Sequence, residues 1–387
     1  MQMRWMKGEG GRARAAALLG VALLGCGNTD DSSDGKPSGG NAGEAGMGAG
    51  ATSGQAGSMG SSGSGGSNGG SGSSGGAGGN LTAGREESTI AAVWAATCAL
   101  DVAGSIHCWG LSDAPWKIPT GPFVSLKSST DSICAIRSDD TVACFEWPFG
   151  SVGDTSAYAP TTKVRDLSLS RGRICWVNQT GLAHCAQPEG ALAAPIEPTG
   201  AELDQISTGY QFGCGIRSQD KGIDCWGEPG AEPCDWSPVA GQLDAPSGRF
   251  ASISTNTFAS CAIAETGTVS CWGAGEPTDD PAAFCHDALY NFGQSTPVTG
   301  SFRSVSVGPH HACGIRDDGT IACWGAGKTA DDCDGDVAEC GQSIPPAGAF
   351  AHVATSNRHS CAITEDRKVT CWGYDSDGRL DPPAALQ

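Results

Sequence analysis

The sequence predicts an all-β fold, a seven-bladed β-propeller. A unit bounded by two cysteines recurs seven times between residues 85 and 387. Its apolar residues alternate as they do in strands, and no amphipathic helical period accompanies them. First cysteines stand at 98, 134, 175, 214, 261, 313 and 361, which gives a unit the length of a propeller blade. Seven such blades are enough to close a ring, and closure removes exposed sheet edges.

Each unit reads as a β-hairpin. The best copies run Cys261 to Cys271, Cys313 to Cys323 and Cys361 to Cys371, each followed by Trp-Gly. Earlier copies run Cys98 to Cys108, Cys134 to Cys144, Cys175 to Cys185 and Cys214 to Cys225. Pairing Cys261 with Cys271 sets Ile263 opposite Val269 and leaves the loop Glu265-Thr266-Gly267. Such a loop ends on a left-handed residue, where glycine costs least. Gly104, Gly181, Gly267 and Gly319 take that position, Asp140 takes it once, and Arg367 is the poor fit. Alternation puts both cysteines and the Ile-Val pair on one face. A disulfide then suits a close, non-hydrogen-bonded pair. Each bridge would stabilise by at most about 3 kcal/mol.

A further strand precedes each hairpin. Eight residues before the first cysteine stands Ile90, Leu126, Leu167, Ile206, Ile253, Val305 or Val353. Three residues earlier, in most copies, is a larger apolar residue such as Phe123, Phe250, Phe302 or Phe350; Glu87 breaks the pattern in the first copy.

Residues 1–84 read as an address and a tether. Arg4, Lys7, Arg12 and Arg14 precede the apolar run Ala15 to Gly25, which is too short to span a bilayer. The run ends Leu23-Leu24-Gly25-Cys26, which resembles a bacterial lipobox, so residues 1–25 are expected to be a lipoprotein signal peptide and Cys26 the lipidated residue. From 26 to 84 the chain is dominated by Gly and Ser and holds no Phe, Tyr or Trp, so it has no core to bury. It is expected to be a disordered linker with a mean reach of roughly 40 Å. The formal charge of −19 argues against a general nucleic-acid binder. The 59 glycines have no three-residue period, which excludes collagen, and 19 cysteines point to an oxidising compartment.

In these repeated residues the chain resembles the regulator of chromosome condensation repeat family. The pattern is His311 before Cys313, His359 before Cys361, Cys-Ala-Ile, the turn glycine, Cys-Trp-Gly, then Gly241-Gln242-Leu243. Trp372-Gly373 followed by Gly378 and Leu380 continues it. The resemblance covers essentially all of 85–387 and implies a seven-bladed β-propeller. That family includes a nuclear nucleotide-exchange factor and secreted bacterial propellers, so it says little of function. Cys144-Phe-Glu-Trp147 and Cys185-Ala-Gln lose the Trp-Gly, and their blades are expected to be the least regular.

Motifs for chemistry are sparse. No Gly-x-Ser-x-Gly elbow, HExxH helix, P-loop or CxxC is present. The histidines offer no metal set, and no cofactor is expected. The acidic string from Asp331 to Asp336 reads as a solvated turn rather than a calcium loop. Trp109, Trp226, Trp272, Trp324 and Trp372 follow repeat cysteines and read as blade core. Outside the repeats, Cys234, Cys285, Cys333 and Cys340 permit three connectivities, of which Cys333 with Cys340 and Cys234 with Cys285 are favoured.

The expected function is that of a non-enzymatic lipoprotein of a bacterial cell envelope, lipid-anchored at the outer membrane or cell surface and probing for a protein or glycan ligand. It would be monomeric and would contact the membrane through its anchor alone. The alternative is an extracytoplasmic hydrolase or lyase with its site at a propeller face or in the central channel. Convergent carboxylates in that channel would favour the enzyme, and an aromatic rim the binder. The longer segments after Cys-Trp-Gly, Glu228 to Leu243, Ala274 to Gln294 and Ala326 to Gln342, are expected to emerge side by side. Trp236, Phe284, His286, Tyr290 and Phe292 are their candidate ligand-binding residues.

Overall fold

Each cysteine-bounded unit, with the strand before it, folds into one three-stranded antiparallel sheet. The structure, a computed structural model, describes residues 88–110, 117–129, 132–146, 158–170, 172–187, 198–227, 241–257, 259–274, 292–330 and 339–387. The seven sheets are the seven blades of a β-propeller. Their inner strands are Ile90–Val93, Phe123–Ser128, Val164–Ser170, Leu203–Thr208, Phe250–Thr255, Phe302–Val307 and His352–Thr355. Each inner strand neighbours the next around the ring, and that of blade 7 neighbours that of blade 1.

The hairpin register is the one expected. In every blade the two cysteines are directly opposed, as are Ile263 and Val269 in blade 5. All seven pairs are disulfides, with Cα atoms 4.0 to 4.1 Å apart. In blade 6 the Arg316 N–H donates to the Thr320 carbonyl, and counting three positions along the ladder makes Cys313–Cys323 a non-hydrogen-bonded pair.

The turn residue has a second task. Gly104, Gly181, Gly267 and Gly319 have φ of 77°, 92°, 87° and 84°, and Asp140 and Arg367 both adopt 66°. The eleven-residue spacing of blade 4 brings Lys221 to the same place at 61°. The carbonyl of this residue accepts the N–H that opens the next blade: Gly267 takes that of Phe302, and Gly319 that of Phe350. In blades 1 to 6 the left-handed conformation is thereby tied to blade-to-blade register.

Apolar packing lies between blades. The face carrying Cys261, Ile263 and Val269 packs on Phe302, Val305 and Trp324 of blade 6. Equivalent clusters join every neighbouring pair, including blade 7 to blade 1. The spacing of three between Phe302 and Val305 would place them on opposite faces of a regular strand. A bulge between Phe302 and Ser304 inserts one extra residue and brings both into that cluster, and blades 2 to 5 carry the same bulge. Blades 2 and 3 are less altered than the sequence suggests. Both keep three strands and the disulfide, and Phe145 fills the tryptophan position of blade 2 at 5 % exposure.

Ring closure uses the repeat out of phase. Trp272, Trp324 and Trp372 donate Nε1–H to the carbonyls of Gln242, Gln294 and Gln342, which end the preceding blade's connection. In blade 1, Trp109 donates to Arg379 at 3.0 Å, from the Gly378-Arg379-Leu380 that follows blade 7. Leu386 is buried in the same blade 7–blade 1 cluster. Deleting residues 374–387 removes a buried leucine and leaves a buried indole N–H unpaired. It should therefore destabilise the ring by roughly 3 kcal/mol or more in urea unfolding under oxidising conditions. Unchanged stability would mean that these residues do not close it.

Candidate functional site

The seven inner strands enclose a central cavity of about 820 Å³. Strand-to-strand ladders do not join neighbouring blades here; side chains do. Ser168 Oγ accepts the Thr208 N–H at 3.0 Å, Ser207 Oγ that of Thr255 at 2.8 Å, Ser254 Oγ that of Val307 at 3.1 Å and Ser306 Oγ that of Thr355 at 3.0 Å. Ser356 donates to the Val93 carbonyl at 2.6 Å, closing blade 7 on blade 1, and Ser128 to that of Ala92 at 3.0 Å. Between blades 2 and 3 the link is ionic, Lys127 Nζ to Asp166 Oδ1 at 3.2 Å. Asp166 Oδ2 also accepts the Ile206 N–H at 2.9 Å. The hydroxyl one residue after the core aliphatic recurs in four blades, a signal that was readable in the sequence but not used.

The cavity reaches the turns between inner and middle strands. Trp94 of blade 1, Tyr210 of blade 4 and His310 of blade 6 line it there. Trp94 is 61 % exposed. It follows no repeat cysteine, the feature by which the core tryptophans are recognised, and sequence reasoning passed over it. The segments that follow Cys-Trp-Gly leave at this same end, since the Ala326 N–H donates to the His310 carbonyl and the Tyr374 N–H to that of Arg358.

Of the candidate ligand-binding residues, Phe292 is described. Its ring meets His310 edge-on, with centroids 5.2 Å apart, beside the cavity mouth. Trp236, Phe284, His286 and Tyr290 lie outside the described residues, as do Cys26, Cys234, Cys285, Cys333 and the Asp331 to Asp336 string. Cys340 is described and buried. Trp109, Trp226, Trp272, Trp324 and Trp372 are buried between blades. Among the described residues, no group of three or more His, Cys, Asp or Glu could hold a metal ion.

The family profile for the Regulator of chromosome condensation (RCC1) repeat matches residues 302–328 and 350–379, which hold blades 6 and 7. Blades 6 and 7 are thus similar to regulator of chromosome condensation repeats, and they sit in a β-propeller. Among curated proteins, the serine/threonine-protein kinase-like protein CCR2 of Arabidopsis thaliana is 26 % identical over 212 residues, 52 % of this chain. The chain spans 24 % of that relative's length. Among solved structures, the CRINKLY WD40 ectodomain of the Arabidopsis thaliana receptor kinase ACR4 aligns with a TM-score of 0.56 at 18 % identity, over 78 % of this chain and 97 % of that one. The CR4 ectodomain of Physcomitrella patens aligns at 0.54 and 20 % identity, over 74 % and 73 %. Prp20p of Saccharomyces cerevisiae aligns at 0.52 and 15 %, over 76 % and 83 %. At these identities the structural likeness is one of fold.

The repeat histidines are scaffold. His311 Nε2 lies 2.7 Å from Ser360 Oγ of blade 7, and His359 Nε2 lies 3.0 Å from Thr97 Oγ1 of blade 1. Both residues are fully buried, and burial pushes each imidazole down to about 3. They stay neutral in the folded ring and protonate near 6.5 once unfolded. The unfolded state thus binds more protons between these values. Stability should be complete above pH 6.5 and fall as pH drops towards 3, by up to about 1.4 kcal/mol per pH unit for each imidazole. His359→Gln keeps a polar atom near the Nε2 position and does not titrate, so its unfolding free energy should fall less steeply with acid. An identical slope would remove His359 from the acid response.

Proposed function

We propose that this chain is an exported, lipid-anchored binding protein of a bacterial cell envelope. Cys26 carries the anchor, residues 27–84 form the tether, and the propeller offers its cavity-mouth end to a protein or glycan ligand. The observation that carries the reading is the chemistry of the cavity. Among its described lining residues there is one carboxylate, Asp166, and that carboxylate is engaged by Lys127 and by the Ile206 N–H. Hydrolysis of a glycosidic bond calls for two carboxyl groups flanking it. The arrangement therefore favours binding over the extracytoplasmic hydrolase or lyase.

Two further features support it. The first cysteine of each disulfide is wholly buried, which suits lasting oxidation in an extracytoplasmic compartment. Phe292 packs against His310 at the mouth, so one end of the segment holding Phe284, His286 and Tyr290 meets the rim of the cavity. The reported binding of Gsp1p and histones by Prp20p is a precedent for protein recognition on this fold.

The test starts with the full chain, expressed in a bacterium and extracted from its membranes. The mature wild type should begin at an acylated Cys26, and Cys26→Ser should remain unprocessed; a soluble wild type with an unmodified N-terminus contradicts the anchor. Its ligand is then captured from the same cell's envelope and secretions. Replacing Trp236, Phe284, Tyr290 and Phe292 together by Ala should weaken binding more than tenfold with little change in melting temperature. Unchanged affinity would remove these residues from the site.

A further inference from the structure

The cavity mouth has a character that the ligand-binding segments do not explain. The propeller belongs to a chain of net charge −19, yet its central cavity is electrically balanced. Lys127 and Asp166 are the charged side chains among the described lining residues, and they neutralise each other across the blade 2–blade 3 boundary at 3.2 Å. His310 donates to the Asn357 backbone, and burial pushes its imidazole down to about 4, so it adds no charge at neutral pH.

The wall sets serine and threonine hydroxyls among aliphatic side chains. Ser207 and Ser254 each accept a backbone N–H through Oγ, which leaves the hydroxyl proton free to be donated. Ser170 goes further. It is 6 % exposed, it lines the cavity at the end of the blade 3 inner strand, and its Oγ has no hydrogen-bond partner in the structure. A buried hydroxyl left unmatched is costly, and a ligand hydroxyl would remove that cost.

The aromatic groups stand at the opening and are held in place. Tyr210 has its carbonyl fixed by Nη1 of Arg173 at 3.3 Å, a guanidinium that is itself 1 % exposed. Trp94 has its carbonyl fixed by Nη1 of Arg379 at 3.3 Å, from the segment that closes the ring. Its indole nevertheless stands 61 % exposed, on a tight turn between two buried strands. A concave site of this volume with aromatic faces at the rim and a few placed polar groups within is the usual form of a small-ligand pocket. Indole and phenol rings present broad apolar faces, and hydroxyls inside can each donate and accept.

We propose that the mouth of the central cavity is a binding site for an uncharged saccharide, with Trp94 and Tyr210 as its stacking faces and Ser170 as a buried hydrogen-bonding partner. This rests on the reading of the chain as a binding protein and narrows its ligand to a neutral glycan. The matched charges of the wall disfavour uronates, sialylated chains and phosphosugars, whose anionic groups would lose hydration without gaining a cation.

The experiment uses the full-length oxidised chain. Hexasaccharides of glucose, mannose, galactose and N-acetylglucosamine are titrated against it by calorimetry and tryptophan fluorescence, with hexagalacturonate as the anionic control. At least one neutral hexasaccharide should bind and change the fluorescence of Trp94, and hexagalacturonate should bind at least tenfold more weakly. Trp94→Ala, at an exposed position, should reduce that affinity at least tenfold with no change in melting temperature. Ser170→Ala should also reduce it, and Val102→Ala, at an exposed position away from the cavity lining, should not. The proposal is overturned if none of the four neutral sugars binds at millimolar concentration, if the anionic one binds as well, or if Trp94→Ala binds like the wild type. Envelope capture that depends on Phe292 would survive any of these results, so the binding reading and the saccharide site fail separately.

Discussion

Everything in this propeller depends on a cross-strand cysteine pair that faces the neighbouring blade. A close, non-hydrogen-bonded register places Cys313 against Cys323 and carries Ile315 and Ile321 onto the same face. That face is not covered within its own blade. Phe350, Val353 and Trp372 of blade 7 cover it, and the same head-to-tail burial repeats around the ring. A three-stranded blade alone would expose this apolar face, so the disulfide fixes the hairpin while the neighbour supplies the core. The ring must therefore close, and Arg379 and Leu386 close it, Arg379 accepting from Trp109 as the connections before blades 5, 6 and 7 accept from their tryptophans.

Closure also creates the site. The seven inner strands form no ladders with one another, so backbone N–H groups along them are met by serine hydroxyls and by Asp166. The wall that results mixes hydroxyls with aliphatic side chains, and its one lysine and one carboxylate are paired. Residues at its mouth are anchored through their own carbonyls, which leaves the rings of Trp94 and Tyr210 free to meet a ligand. The side chains that stabilise the ring and those that would recognise a saccharide thus come from the same strands, in different roles.

Much of this was legible in the residues because it is local. A pair of cysteines ten apart, an alternating Ile and Val and a turn glycine are enough to specify a hairpin and its register, and the seven copies specify the ring. Even the poor fit of Arg367 was visible, and it does adopt the left-handed conformation. Relations between blades were harder to read. The three-residue spacing of Phe302 and Val305 is a bulge only because both must reach the same neighbour. Trp94 and Arg379 are 285 residues apart in sequence and meet because the ends of the chain meet. Blades 2 and 3 were expected to suffer from losing Trp-Gly, but Phe145 fills the place in blade 2 and the disulfides are kept in both.

The central claim is that each blade is stapled within its own hairpin and covered by the next. Non-reducing peptide mapping of the oxidised chain tests it most directly. Seven linkages should be found among the fourteen repeat cysteines, each joining residues ten or eleven apart, from Cys98–Cys108 through Cys361–Cys371. Linkages between different repeats, or free thiols at several of these positions, would contradict the account.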